Sequence, residues 1–230
     1  MILDLIVLGI ILVFGIIGHY KGFVKTIMSF GSSLVAVVLA FIIQPIISGF
    51  LMITPLYGVI NKWIVARVEK INFGVGVQTQ GEAIKKGVTW LPEFMSEQII
   101  RNNNVEVYKL LEVSGIKDYV STSLTRMVIA LLAILIAWMI IKVLLMVLLT
   151  STDGVVKAIP VISGLNRVCG FGIGLAKGVL GIWVVGLILP TLLTIPSFSQ
   201  LGTFLEKSNL TQWLYENNIL LQVFSELLSK

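Results

Sequence analysis

The apolar positions of this chain run in long unbroken blocks, not in the alternating or four-residue rhythms of a soluble core. Four blocks approach the roughly 20 apolar residues that a ~30 Å hydrocarbon layer demands, namely residues 2–17, 23–47, 124–149 and 170–195. Each predicts a membrane-spanning helix. The first is the shortest and contains Asp4, so it crosses only with local bilayer thinning or with its flanking polar groups snorkelling; a reentrant hairpin is the competing reading. It lacks the basic leader and small-residue cleavage site of a signal peptide, so it is expected to stay attached.

The polar interruption between the first two blocks is brief. Gly15 to Ile27 reads GIIGHYKGFVKTI, which predicts a tight turn between antiparallel helices at the membrane surface. Gly18 and Gly22 let backbones approach, Lys21 and Lys25 sit at the headgroups, and His19 and Tyr20 suit the same interface.

Residues 48–123 carry a different rhythm. Pro55 opens an amphipathic helix to Lys70, with Leu56, Val59, Ile60, Trp63 and Ile64 on one stripe. The stretch from Asn72 through Gly81, with three glycines, interrupts it. A second pattern runs from Glu82 to Ile100 with a break at Leu91-Pro92, and a third from Asn104 to Ser114 is ended by Gly115. The tail, 198–229, repeats the theme through Leu201, Phe204 and Leu205, then Leu220, Leu221, Phe224, Leu227 and Leu228. None of these helices has the Lys/Arg-rich polar face of a lipid-surface helix, so they are expected to pack on one another, on the spans or on a second protomer. The fold class is thus all-α: a polytopic integral membrane protein, one membrane domain over 1–230, with four transmembrane helices in two hairpins plus amphipathic extramembrane helices.

Composition agrees, with 57% hydrophobic and 13% charged residues and a mean hydropathy of +0.98. Charge adds orientation. The two short turns and the adjoining helix ends hold Lys21, Lys25, Lys142, Lys157, Arg167 and Lys177 against the single acid Asp153, whereas the remaining eleven bases face eleven acids. Positive residues in short loops stay in the cytoplasm. Both turns, with the bases Lys21, Lys157 and Arg167, are therefore expected on the cytoplasmic side of the cell membrane, and the termini and 48–123 outside. A net charge of +5 placed this way reflects topology; no aromatic-basic interleaving points to nucleic acid.

Within PVISGLNRVCGFGIGLAKGVLG, Pro160 to Gly181, Gly170, Gly174 and Gly178 fall four apart and Gly181 three further. Such a stripe admits a second helix at close range, a helix interface being favoured over a glycine-lined conduction path. Lys142 and Lys177 lie roughly 10 to 12 Å inside their helices at 1.5 Å per residue. Three readings apply: snorkelling or lipid-phosphate contact, which is preferred, a polar cavity between the third and fourth spans, or a transport role. Asp4 enters from the opposite surface, as an interfacial carboxylate or a helix N-terminal charge.

Asp4, the G-x-Y-K-G-F corner from Gly18 to Phe23, the small-residue second span and the L-N-R-x-x-G-x-x-x-G-x-x-x-G run from Leu165 together resemble the colicin V production protein (CvpA) family. That resemblance implies a small polytopic inner-membrane protein connected with peptide toxin export (toxin biosynthesis) and envelope homeostasis, without a known biochemical activity. Residues 48–123 are longer than in the shortest family members.

One His and one Cys offer no zinc site, and no H-E-x-x-H, C-x-x-C, G-x-S-x-G or P-loop occurs. A His19–Cys169 dyad has nothing to orient it; Cys169 is expected as a buried helix-packing residue. The expectation is no enzyme, no cofactor and no metal. The leading function is an accessory or scaffold protein in export or envelope processes, with the lipid bilayer and a homo-oligomer or membrane protein as partners. The alternative is a small anion transporter or channel with a lysine-lined cavity on the cytoplasmic side.

Overall fold

The computed structural model describes residues 2–73, 79–150, 163–198 and 200–228, all helices, turns and connections without a strand among them. In chain order the helices are α1 (Ile2–Met52), α2 (Pro55–Val68), α3 (Gln80–Gly87), α4 (Glu93–Arg101), α5 (Val105–Leu111), α6 (Ile116–Thr150), α7 (Ser163–Gly186) and α8 (Leu189–Thr194), then a 3-10 turn at Pro196–Phe198, α9 (Gln200–Glu206), α10 (Leu210–Glu216) and α11 (Ile219–Leu228). Three stretches are long and apolar enough to cross a membrane: Ile2–Met52, Ile116–Leu148 and Gly164–Thr194. Large apolar side chains such as Leu5, Val38, Ile46, Leu144 and Leu148 stand more than half exposed along the first two, the kind of surface that lipid covers. The protein is a membrane protein.

The first of these stretches is not one straight helix. Gly22, at φ 76° and ψ 167°, breaks α1 into two arms. Those dihedrals are open to glycine and strained for any other residue. The third stretch is also interrupted. Pro190 has no N–H to give the carbonyl of Gly186, and the chain pauses there before α8. Four blocks in the sequence thus correspond to three candidate helices, the first of them bent at the polar corner.

Helix bounds depart from hydropathy in instructive ways. α6 begins at Ile116, ahead of the apolar block at 124–149, and in this lead-in Tyr119 and Val120 are wholly buried. α7 begins at Ser163, so Asn166 and Arg167 belong to it.

The chain divides into two compact units where the sequence alone suggested one domain. The first holds residues 1–44, 134–186 and 204–218. In it, α7 lies on the first arm of α1, α10 packs on α7, and Val7, Ile11 and Leu214 form a small apolar cluster with Leu175, Val179 and Ile182. Asp4 helps to seat α10. Its carboxylate accepts hydrogen bonds from the backbone N–H groups of Asn209 (3.2 Å) and Thr211 (2.9 Å) and from the Thr211 hydroxyl (3.0 Å), capping donors that a helix start leaves open. Asp4 also stands in the first turn of α1, as expected of a helix N-terminal charge. Trp183 Nε1 donates to the carbonyl of Leu214, and Asn218 Nδ2 to that of Trp183.

The second unit holds residues 45–133, 187–203 and 219–230. Its core is made of side chains: Ile64, Ile84, Met95, Ile99, Tyr119, Leu124, Leu131 and Phe224 are almost completely buried. The helices around them are short, and distant side chains close their open carbonyl ends. The Tyr119 hydroxyl donates to Ile99 O at 2.6 Å, Arg67 to Leu193 O at 2.8 Å and Lys117 Nζ to Glu69 O at 2.8 Å. Arg67 also lies over the Trp90 ring at 3.8 Å.

Several expected faces need correction. In α2 only the line Ile60, Ile64, Val68 is buried; Leu56, Val59 and Trp63 remain exposed, since neighbours meet one line of the helix and not the whole stripe. α5 ends at Glu112, which takes φ 55°, before Gly115 is reached. In the tail, Leu220, Leu221 and Phe224 are buried, but Phe204 and Leu227 are exposed.

Candidate functional site: a glycine seam and two lysines on a serine turn

The L-N-R run of α7 meets the broken corner of α1. At the break the N–H of Phe23 has no helical partner, and Asn166 Oδ1 accepts it at 2.7 Å. Thr26 Oγ1 donates to Gly22 O at 2.7 Å and lies 3.3 Å from Gly18 O. A straight helix would hold Thr26 and Gly18 about 12 Å apart along its axis, so the chain turns back on itself there.

From this corner a seam of glycines runs along α7. A Cβ on Gly170 would fall on the Gly18 carbonyl oxygen, and one on Gly18 would fall on Gly170 O. On Gly174 it would strike Phe14 O and stand 2.9 Å from Gly15 Cα; on Gly178 it would stand 3.0 Å from Ile11 Cα. Here backbone touches backbone, and any side chain would part the helices. Gly181 differs, since nothing lies within 4 Å of a Cβ there, and its expected place in the seam is withdrawn. By that residue α7 has turned its glycine line away. Gly15, which the four-residue spacing within α7 could not reveal, belongs to the contact: its Cβ would meet Phe171 and Leu175 at 2.8 Å.

Cys169 is exposed, against the expectation of a buried packing residue. It sits on the outer line of α7 with the exposed Leu165 and Val168, one step round from Gly170. Lys21, Lys25 and Arg167 are exposed, His19 is half-buried with its ring edge-on to Tyr20, and Lys157 and Asp153 lie outside the described residues.

The lysines of the second and third candidate spans converge. Lys142 Nζ donates to Ser29 O (3.2 Å), Ser32 Oγ (2.8 Å) and Ser33 Oγ (2.7 Å), and Lys177 Nζ donates to Ser29 Oγ at 2.5 Å. Both ammonium groups are held by hydrogen bonds to serines of another helix. Their partner is the second arm of α1, on the triplet of serines, a partner the cavity expected between the third and fourth spans did not include. The Phe14 ring centroid lies 5.9 Å from Lys177 Nζ. Phe14 and Ser29, eight residues before and seven after Gly22, therefore flank one ammonium group, where a straight helix would separate them by about 22 Å. The serines were legible in the sequence as S-F-G-S-S, but a hydroxyl cluster inside an apolar block is compatible with ordinary helix packing, so nothing marked them.

Among the described residues, no group of three or more His, Cys, Asp and Glu could hold a metal ion. The family model for colicin V production protein matches residues 83–218. The chain belongs to the colicin V production protein family. The match takes in the L-N-R run and the glycines of α7, most of α3 and the helices from α4 to α10, and leaves out α1, α2 and α11. No curated protein and no solved structure matched the chain.

Proposed function

We propose that this colicin V production protein family member is a non-enzymatic, multi-pass protein of the cell's inner (cytoplasmic) membrane, serving as an accessory or scaffold component in peptide toxin export or envelope homeostasis. The observation that carries this reading is the seating of α7 on α1 through Gly18, Gly170, Gly174 and Gly178. An interface without side chains is a device for assembling helices in lipid, where apolar burial gives little drive. It builds a frame and places no reacting group. On this reading the two arms of α1 are separate spans joined by the Gly22 corner, giving four spans in two hairpins with Lys21, Lys157 and Arg167 on the cytoplasmic side. The glycine seam is occupied within the chain, so a second copy or another membrane protein would dock on a different face.

Complementation tests the role. In a toxin-producing strain deleted for its own family member, this chain should restore toxin release and Gly174→Leu should not; release that is unaffected by the deletion would end the export reading. Sidedness is tested by thiol labelling after Cys169→Ser, needed because Cys169 is exposed. Cysteines at positions 21 and 157 should react from the same compartment and one at position 62 from the other. Reaction of 21 and 157 from opposite compartments would remove the two-hairpin topology.

A further inference from the structure

Around Ser29 the donors outnumber the acceptors. Lys142 spends its three protons on Ser29 O, Ser32 Oγ and Ser33 Oγ. The Ser32 and Ser33 hydroxyls donate in turn to the Ser29 carbonyl, both at 2.9 Å, which closes that half of the cluster. The other half stays open. Lys177 gives one proton to Ser29 Oγ, which leaves two of its three N–H donors, and the Ser29 hydroxyl proton, without an acceptor among the described residues.

Charge points the same way. The two ammonium groups repel each other, and Lys21 repels Lys177 as well. Among the described residues neither lysine forms an ion pair, and the Asp4 carboxylate is engaged at the start of α10. Positive charges gathered in an apolar segment are disfavoured unless an anion joins them. The cluster is not sealed, since Ser29, Lys142 and Lys177 are all partly exposed. It lies seven residues past the Gly22 corner, about 10 Å along the helix, within reach of the polar side of the membrane.

Three donors without a protein acceptor on partly exposed side chains, two of them on one ammonium group and a second ammonium group beside them, suit an oxyanion with several acceptor oxygens. We propose that Lys177 and Ser29, with the Lys142 charge beside them, bind a phosphate-type oxyanion, carried on an anionic lipid headgroup or free in solution.

The test uses the full chain in phosphatidylcholine nanodiscs, as wild type, Lys177→Gln, Ser29→Ala and the exposed control Lys85→Gln. One arm adds phosphatidylglycerol to the discs and counts retained lipid by native mass spectrometry. The other titrates inorganic phosphate into discs of phosphatidylcholine alone and follows thermal unfolding. Wild type and Lys85→Gln should retain phosphatidylglycerol, or be stabilised by phosphate, about tenfold more strongly than Lys177→Gln and Ser29→Ala. Discrimination in the first arm only assigns the lipid headgroup; discrimination in the second assigns the free anion. Wild type and Ser29→Ala behaving alike in both arms, or Lys85→Gln losing as much as Lys177→Gln, would overturn the site. If Lys177→Gln fails to reach wild-type helix content by circular dichroism, Ser29→Ala, which keeps both charges, decides alone.

Discussion

Where Gly170 meets Gly18 no side chain stands between the two helices, whereas Met95 and Ile99 fill the interior of the second unit with whole side chains that no solvent reaches. Both are close packing, yet the forces differ. Apolar surface taken from water is stabilised by its removal, so a core of Ile, Met, Tyr and Phe is favoured wherever water is the alternative. Lipid tails are as apolar as leucine, and burial there gains almost nothing; what remains is contact between atoms, which is greatest where glycine lets main chains touch. The first unit has the second kind of seam and the second unit the first kind of core.

The sharpest way to break this comparison is to add a side chain to the seam. Gly174→Leu places carbon on Phe14 O and beside Gly15 Cα, backbone atoms that cannot step aside. We expect a loss above about 3 kcal/mol, since overpacking against backbone exceeds ordinary core crowding, read as failure to recover folded protein in detergent. Gly181→Leu, on open ground, should stay within about 0.5 kcal/mol of wild type. Equal behaviour of the two variants would show that α7 does not seat on α1 through its glycines.

Removing a side chain from the second unit should come next. Met95 is completely buried, and Met95→Ala is expected to destabilise by about 2 to 5 kcal/mol through lost transfer energy and a residual cavity. Chemical denaturation should report it as a lower midpoint with an unchanged slope. A cost near zero would mean that the core around α4 collapses freely and is not packed like the interior described above. Smaller still is Tyr119→Phe, which keeps the ring and removes the hydroxyl that closes Ile99 O. The expected loss is about 1 to 2 kcal/mol for a buried carbonyl left open, measured by thermal unfolding against wild type.

How much of this could be read from the residues follows the same division. The long blocks, the Gly22 corner and the spacing of Gly170, Gly174 and Gly178 were visible because membrane length and small-residue periodicity are properties of one segment. The break at Leu91-Pro92 and the Pro55 start were visible for the same reason. What pairs with what was not. Nothing local in Ser29, Ser32 and Ser33 says that lysines 109 to 148 residues away will donate to them, and nothing in Asp4 says that it will cap a helix beginning at Leu210. α6 extends eight residues ahead of the apolar block because hydropathy marks only where lipid would be tolerated, whereas Tyr119 and Val120 are buried within the second unit. Cys169 was misplaced because one step round a helix separates a seam from an open face.

The smallest expected effect probes how the short helices of the second unit survive at all. α5 spans only Val105–Leu111 and buries none of its residues, and a helix of that length is unstable in water without help from outside its own ladder. Its start is held by Asn104, whose side-chain Oδ1 accepts from the Val107 N–H at 2.9 Å. Its far end turns through Glu112 in the left-handed region, with Val113 N donating back to Tyr108 O. Asn104→Ala removes the first of these and should cost about 1 kcal/mol, while Asn104→Ser, which keeps an acceptor at the same place, should cost only a few tenths. Global unfolding would barely separate the two, so the measurement is amide hydrogen exchange across residues 105–113, which should quicken in Asn104→Ala and stay near wild type in Asn104→Ser, with exchange in α4 unchanged. If α4 loosened in step with α5, the second unit would be a single cooperative core reaching out to α5; if α5 alone responds, its order rests on its cap, and the apolar core that distinguishes this unit from the glycine seam stops short of it.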